Sequence, residues 1–348
     1  MNANNTIKNT DQSLPWHGIV NLYINLHQGG DKANLFSNKR HQVIVDVYIS
    51  AVDINGDYVS VPNEVMAANT WLIDYNTGEK LAMDVGEDSG FTWAYSDSPN
   101  EFTAVVMSGY DSFMENYSQP NDGSRLTNKL TYYVYCSPSV KNTIKNIAVL
   151  VHAPDGDHST KIGSPIESHV ELFALKEIVY EIANITLDRE FITGHHTGDT
   201  WEQYNTYVSI DPKDAYGRRY IVKLADDHNM AGNAHQLYRG TNDDKRGYIA
   251  HFFWVLGDEA TVSIGNREWM GVNVDFPVDI KIRQQSNTVC FTVIQVMYKD
   301  APSYNTWYDF YIIIYDQYGN EGKIWVVENS NSENDEQLVH FSDSPPES

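Results

Sequence analysis

The chain is short of cysteine, of positive charge and of long apolar runs, and each shortage narrows what it does. Only Cys136 and Cys290 occur in 348 residues, so there is no disulfide framework, and both lie in apolar strand-like runs that suit buried, reduced thiols. Lys and Arg number 24 against 47 Asp and Glu, a formal charge of −23. That balance opposes the counterion release that drives binding to phosphate backbones, so nucleic acid and anionic membrane surfaces are poor partners. The longest apolar stretches, Ile147 to Val151 and Tyr311 to Tyr315, fall far short of the roughly 20 residues of a membrane-spanning helix. The start, Met1 to Asp11, lacks the basic and apolar regions of a secretory signal. The expectation is a soluble chain, cytoplasmic as synthesised, with a specialised export route left open.

Catalytic and nucleotide motifs are missing too. There is no Gly-x-Ser-x-Gly elbow, no HExxH, no phosphate-binding GxxxxGK[ST], and no GxGxxG after a strand. Paired carboxylates are too numerous in so acidic a chain to single out a glycosidase pair. These absences point to a protein that is not an enzyme.

What is present is period-two alternation in short runs rich in Val, Ile, Tyr, Phe and Thr, bounded by Asn, Gly, Asp and Pro. The clearest is His41 to Val61, where Val43, Val45, Val47 and Ile49 alternate before Asp53-Ile54-Asn55-Gly56-Asp57 turns the chain. Asn55-Gly56 is the favoured type I′ hairpin pair. Further strands are expected at 69–74, 90–95, 102–107, 130–136, 146–152 and 169–175. A second set follows at 204–210, 220–224, 248–256, 260–264, 278–284, 288–298, 306–315 and 323–328. Between the sets, 176–201 fits either a helix, through Leu172, Leu175, Val179, Ile182 and Ile185, or strand plus linker. The two halves have similar strand density without an alignable repeat.

The fold expectation is all-β, two tandem antiparallel β-sandwich domains of immunoglobulin-like type. The pattern resembles immunoglobulin-like modules only in general form, because the two cysteines fall in different halves and make no bridge around a core Trp. The expected division is a disordered segment at 1–13, a first sandwich at 14–175, a linker at 176–200, a second sandwich at 201–328, and a disordered acidic tail at 329–348.

Asp53, Asn55 and Asp57 sit at the first, third and fifth positions of an EF-hand-like loop, but Tyr58 stands where the glycine belongs and no Glu closes it. Asp155-Gly156-Asp157-His158 and Asp226-Asp227-His228 read as solvated turns, with Ca²⁺ as the alternative. His195, His196, Asp199, Asp226 and His228, with His235, are the candidate Zn²⁺ ligands of a metal-dependent hydrolase. No cofactor is expected; Ca²⁺ and Zn²⁺ are the alternatives.

The strongest signal is aromatic. Eight Trp accompany 23 Tyr, and such rings stack on sugar faces and anchor interfaces at low entropic cost. Trp71, Trp93, Trp254 and Trp325 lie in alternating runs and are assigned to cores. Trp16, Trp201, Trp269 and Trp307 lie near loops or segment ends and are the candidate ligand-binding or assembly residues. The expected function is non-enzymatic: a binding or self-assembling structural protein that presents aromatic and acidic loops to a glycan, a host or other protein surface, or another copy of itself. A β-rich toxin inserting the alternating segment 260–275 into membranes is the alternative. The run 307–315 reads as a central strand, or at an edge as a template for self-association.

Overall fold

The computed structural model describes residues 16–103, 126–196, 199–210, 217, 219–226, 235–240, 246–256, 260–264, 267–269, 272–274, 278–282, 285, 288–299, 310–328 and 339–345, with the backbone alone for 192–202, 226–282, 293–299, 328 and 339. The chain divides after Glu177 into two compact units, each built almost entirely of strands.

Unit 1 contains β1 (Gly18–Leu26), β2 (Lys32–Phe36), β3 (Val43–Val52), β4 (Tyr58–Val59), the short helix α1 (Asn63–Ala68), β5 (Thr70–Asp74), β6 (Ala82–Met83), β7 (Trp93–Ser96), β8 (Asn128–Cys136), β9 (Ile144–Ala153), β10 (Gly156–Ser159) and β11 (Val170–Leu175). One sheet runs β1-β3-β8-β7-β6 with β4 on β3, and the other runs β10-β9-β11-β2 with β5 on β9. Alternation decides which face is buried. Val43, Val45, Val47, Ile49 and Ala51 of β3 join Leu22, Ile24 and Leu26 of β1 and Leu130, Tyr132 and Val134 of β8. The second sheet adds Leu72, Val149, Val151, Val170 and Leu172 to the same core. Each fully buried Val, Leu or Ile contributes about 1.5–3 kcal/mol, and the two sheets close over this shared layer as a sandwich.

Unit 2 contains β12 (Val179–Tyr180), β13 (Ile185–His196), β14 (Asp199–Ile210), β15 (Ile221–Asp226), β16 (His235–Gly240), β17 (Arg246–Leu256), β18 (Ala260–Ile264), β19 (Arg267–Trp269), β20 (Val272–Val274), β21 (Val278–Ile282), β22 (Val289–Lys299), β23 (Phe310–Asp316), β24 (Glu321–Glu328) and β25 (Val339–Ser342). Its two larger sheets are β12-β24-β23-β15, with β25 on β24, and β13-β14-β22-β17-β16. Phe310, Ile312, Ile314, Ile324 and Val326 from the first face Val208, Ile210, Val289 and Phe291 from the second in one core.

Several expectations change. Residues 176–200 are not a linker: β12, a 3₁₀ turn at Ile182–Asn184 and β13 occupy them, because β-branched residues that fit both periods find strand partners in β24 and β14. The acidic stretch 329–348 is not wholly a tail, since β25 pairs with β24 and places Phe341 edge-on to Phe291, with ring centroids 5.2 Å apart. The sheets are not purely antiparallel: β2 with β11, β6 with β7, and β12 with β24 run parallel. Helix α1 and strands β1, β2, β6, β10, β16 and β25 were not read from the sequence. The stretches 1–13 and 104–107 lie outside the described residues.

The turn after β3 is not type I′, which needs left-handed backbone at both central residues; only Gly56 is left-handed, at φ 86°. Asp53 Oδ1 instead accepts the Asn55 and Asp57 amides at 2.8 and 3.0 Å. The β23–β24 connection repeats this scheme in buried form. Asp316 Oδ1 accepts the Tyr318 and Asn320 amides at 2.8 and 2.9 Å, and Oδ2 accepts Asn320 Nδ2 at 3.0 Å and the Tyr180 hydroxyl at 2.7 Å. Burial raises the Asp316 carboxyl, and these donors pull it part of the way back. β12 passes close at this point: a Cβ on Gly322 would lie 2.6 Å from the Tyr180 Cβ.

Asp316→Ala strands several buried donors, so it is expected to destabilise unit 2 by about 3 kcal/mol, against about 1 kcal/mol for Tyr180→Phe, which removes one bond. Equal unfolding midpoints in urea would contradict this. Both thiols are fully buried, and burial raises Cys136 strongly and Cys290 to about 11. Ellman's reagent at pH 8 is expected to label neither in the native protein and both in denaturant; a reactive native thiol would contradict the core assignment.

Candidate functional site

The outer face of the β12–β15 sheet in unit 2 carries three aromatic and two cationic side chains with described positions. Phe310, Ile312 and Ile314 of β23 face the core, so period two turns Tyr311, Ile313 and Tyr315 outward. Register places Trp325 opposite Tyr311, Lys323 opposite Ile313 and Glu321 opposite Tyr315, and β15 sets Lys223 beside Tyr315. Tyr311 and Trp325 meet edge to face with centroids 5.0 Å apart and planes at 61°. Lys323 Nζ lies 3.6 Å from the Tyr311 ring centroid and 4.8 Å from that of Trp325. Lys223 Nζ lies 5.7 Å from the Tyr315 centroid. The three rings are half-buried, both lysines are exposed, and Val179 on β12 beside Glu321 is 59% exposed. The arrangement offers ring surface and ammonium groups but no nucleophile paired with a base.

Unit 1 has a different outer face on the β1–β3–β8 strands. Tyr23 and Tyr48 stack across strands with centroids 4.7 Å apart and planes 9° from parallel. Beside them Asp46, only 2% exposed, receives Lys129 Nζ and His27 Nδ1 at 2.9 Å each and the Thr131 hydroxyl at 2.8 Å. The hydrogen bond from Lys129 to Asp46 raises the lysine against the opposing effect of burial. All of Asp46's described partners belong to unit 1, so this carboxylate is a structural anchor for the sheet face.

The residues singled out from sequence are dispersed. Trp16 is 2% exposed within the unit 1 core and therefore presents no ring to a ligand; the chain enters β1 there, with the His17 amide bonded to the Val52 carbonyl. Trp201 and Trp269 lie on β14 and β19 with backbone alone described, and Trp307 lies outside the described residues. Of the four tryptophans assigned to cores, Trp93 is buried in the unit 1 core. Trp71 is half-buried in a small separate cluster under Lys80, whose Nζ is 3.2 Å from the ring centroid. Trp325 is on the outer face, and the side chain of Trp254 is not described.

His195 and His196 are successive residues of β13, with His196 in register with Asp199; their side chains are not described. Asp226 ends β15, His235 begins β16, and His228 is outside the described residues. Among the described residues no three His, Cys, Asp or Glu side chains cluster as a metal site. Asp155 and Asp157 pair with His158 and His152, each at 2.7 Å, and Asp53 is occupied by its own turn, where the Asp57 amide leads in holding its carboxyl below the usual range. In 260–275, β18 pairs with β21 and β19 with β20. No described helix is long and apolar enough to cross a membrane.

Sequence reasoning missed Tyr311, Tyr315, Lys223 and Lys323 as one surface. The signal was present: Lys323 and Trp325 share a strand face, and a lysine there marks that face as the outer one.

No protein-family model matches the chain, and no curated protein matches it. Among solved structures, the C-terminal domain of the Streptococcus pyogenes antigen I/II-family protein AspA is similar over 88% of this chain and 98% of that one, at 10% identity and a TM-score of 0.24. The C-terminal domain of the Streptococcus agalactiae AgI/II polypeptide BspA is similar over 87% and 96%, at 7% identity and a TM-score of 0.21. Likeness this slight assigns neither a family nor a function.

Asp46→Ala removes charge-assisted bonds and is expected to cost unit 1 about 2 kcal/mol, read as a lower urea midpoint. An unchanged midpoint would show that the anchor contributes nothing to stability.

Proposed function

We propose that the chain is a non-enzymatic binding module that engages a glycan or protein surface through the outer face of the β12–β15 sheet. One observation carries the reading: Tyr311 and Trp325 stand side by side and half-exposed on a sheet whose other face already closes the core. Rings held by a rigid strand pair lose little entropy on contact, which is why Tyr and Trp dominate binding surfaces. The binding role expected from sequence is kept, but its residues change from loop tryptophans to a strand-borne set.

Self-association through β23 finds no support in its pairing. Within the described residues, Ile312–Asp316 of β23 pair with β15 and Phe310–Tyr315 with β24, which makes this stretch a central strand; residues 307–309 of the run lie outside the described residues.

The test is a glycan and protein-surface array probed with the full chain and with the Tyr311→Ala/Trp325→Ala double variant, each checked for a native circular dichroism spectrum. The reading predicts a discrete ligand set for the parent chain and at least tenfold weaker signals for the variant. Identical profiles from two folded proteins would refute it.

A further inference from the structure

We propose that this face takes a carboxylated saccharide, a glycan bearing uronate residues, with the Lys323 ammonium pairing to the carboxylate while Trp325 and Tyr311 pack against the pyranose ring. The proposal rests on the binding role assigned to the same face and adds the class of ligand.

Charge is the first argument. The chain carries −23 overall, and the described outer face nevertheless presents Lys323, exposed and in register with Ile313 between Tyr311 and Tyr315. In unit 1, Lys32 pairs with Glu171 at 3.1 Å and Lys129 with Asp46 at 2.9 Å, while Lys80 lies over the Trp71 ring. Lys323 has no carboxylate within ion-pair distance among the described residues and is held instead over two rings. A cation resting on ring faces is attracted by their quadrupoles and is only partly hydrated on that side, so it is already positioned for an incoming anion. A neutral ligand would have to share the rings with the ammonium; an anionic one gains from it.

Backbone pairing is the second argument, and it separates a sugar from a peptide. Extended peptides commonly bind sheets by adding a strand to an open edge. β23 pairs with β15 over Ile312–Asp316 and with β24 over Phe310–Tyr315, and β24 pairs on its other side with β12 at Glu321–Gly322 and with β25 at Trp325–Glu328, so most of the backbone under this face is already paired. Recognition here falls to side chains: ring surface for the C–H face of a pyranose and an ammonium for its carboxylate.

The experiment titrates the full chain with an oligogalacturonate, the neutral oligogalactoside of equal length, and poly-L-glutamate, following heat and Trp fluorescence at 50 mM and 500 mM NaCl. The expected result is binding of the oligogalacturonate at least tenfold tighter than that of the neutral sugar, weakened by salt. Lys323→Ala should lose at least tenfold toward the uronate without weakening the neutral sugar, Lys323→Arg should retain binding, and Trp325→Ala should lose both sugars. Equal affinity for neutral and charged sugars, or an unaffected Lys323→Ala, overturns the carboxylate assignment while leaving the face a binding site. Poly-L-glutamate binding as tightly as the uronate overturns the saccharide assignment. No binding of either sugar overturns the proposal outright, whereas the array result for the double variant decides the broader binding role independently.

Discussion

The buried carboxylate of Asp316 is the contact on which the candidate surface depends. It closes the β23–β24 hairpin through the amides of Tyr318 and Asn320 and reaches across to the Tyr180 hydroxyl on β12. A hairpin's register is fixed at its turn, and a slip of one residue exchanges the two faces of a strand. Such a slip in β24 would bring Lys323 and Trp325 inward and turn Ile324 and Val326 out. One desolvated acid therefore holds both halves of the arrangement, the apolar row that closes the unit 2 core and the aromatic and cationic row on its outer side. Gly322, where a side chain would strike Tyr180, allows β12 to lie close enough for that bond.

Unit 1 uses an acid in another way. Asp46 projects from the face opposite the Val43 to Ala51 core row and is enclosed by Lys129, His27 and Thr131. Enclosure makes the outer side of that sheet self-contained, because its charges answer one another. In unit 2 the outer lysines lie over rings, and Lys323 finds no acid among the described residues. The contrast is chemical: on one face a carboxylate gathers the neighbouring cation and hydroxyl, and on the other a cation lies over rings.

Much of this architecture was legible as period two. The run from Val43 to Val52 alternates as a strand, and the Tyr- and Ile-rich hairpin at 310–328 showed its alternation equally well. The failures have physical causes. β1 was hidden by Asn21 and Asn25, whose outward positions dilute the apolar signal of Leu22, Ile24 and Leu26. β12 and β13 were ambiguous because Val179, Ile182 and Ile185 suit a helical stripe as well as a strand, and only pairing with distant β24 and adjacent β14 decides between them. β25 was masked by the Asp, Glu and Ser around Val339 to Ser342, although a single ring, Phe341, commits that segment to the core. Trp16 was misjudged because proximity to Pro15 suggested a loop, whereas the ring covers part of the unit 1 core at the entry to β1. Trp325 was misjudged because tryptophan in an alternating run was taken for core while Lys323, on the same face, was overlooked.

Hydroxyl-radical footprinting of the full chain, with and without oligogalacturonate, tests the central claim most directly, since it reads side-chain exposure residue by residue. The account predicts that Tyr311 and Trp325 are oxidised readily in the free protein while Phe310 and Phe291 are not, and that oligogalacturonate protects Tyr311 and Trp325 selectively. Slow oxidation of Trp325 in the free protein, or protection spread evenly over tyrosines of both units, would contradict it.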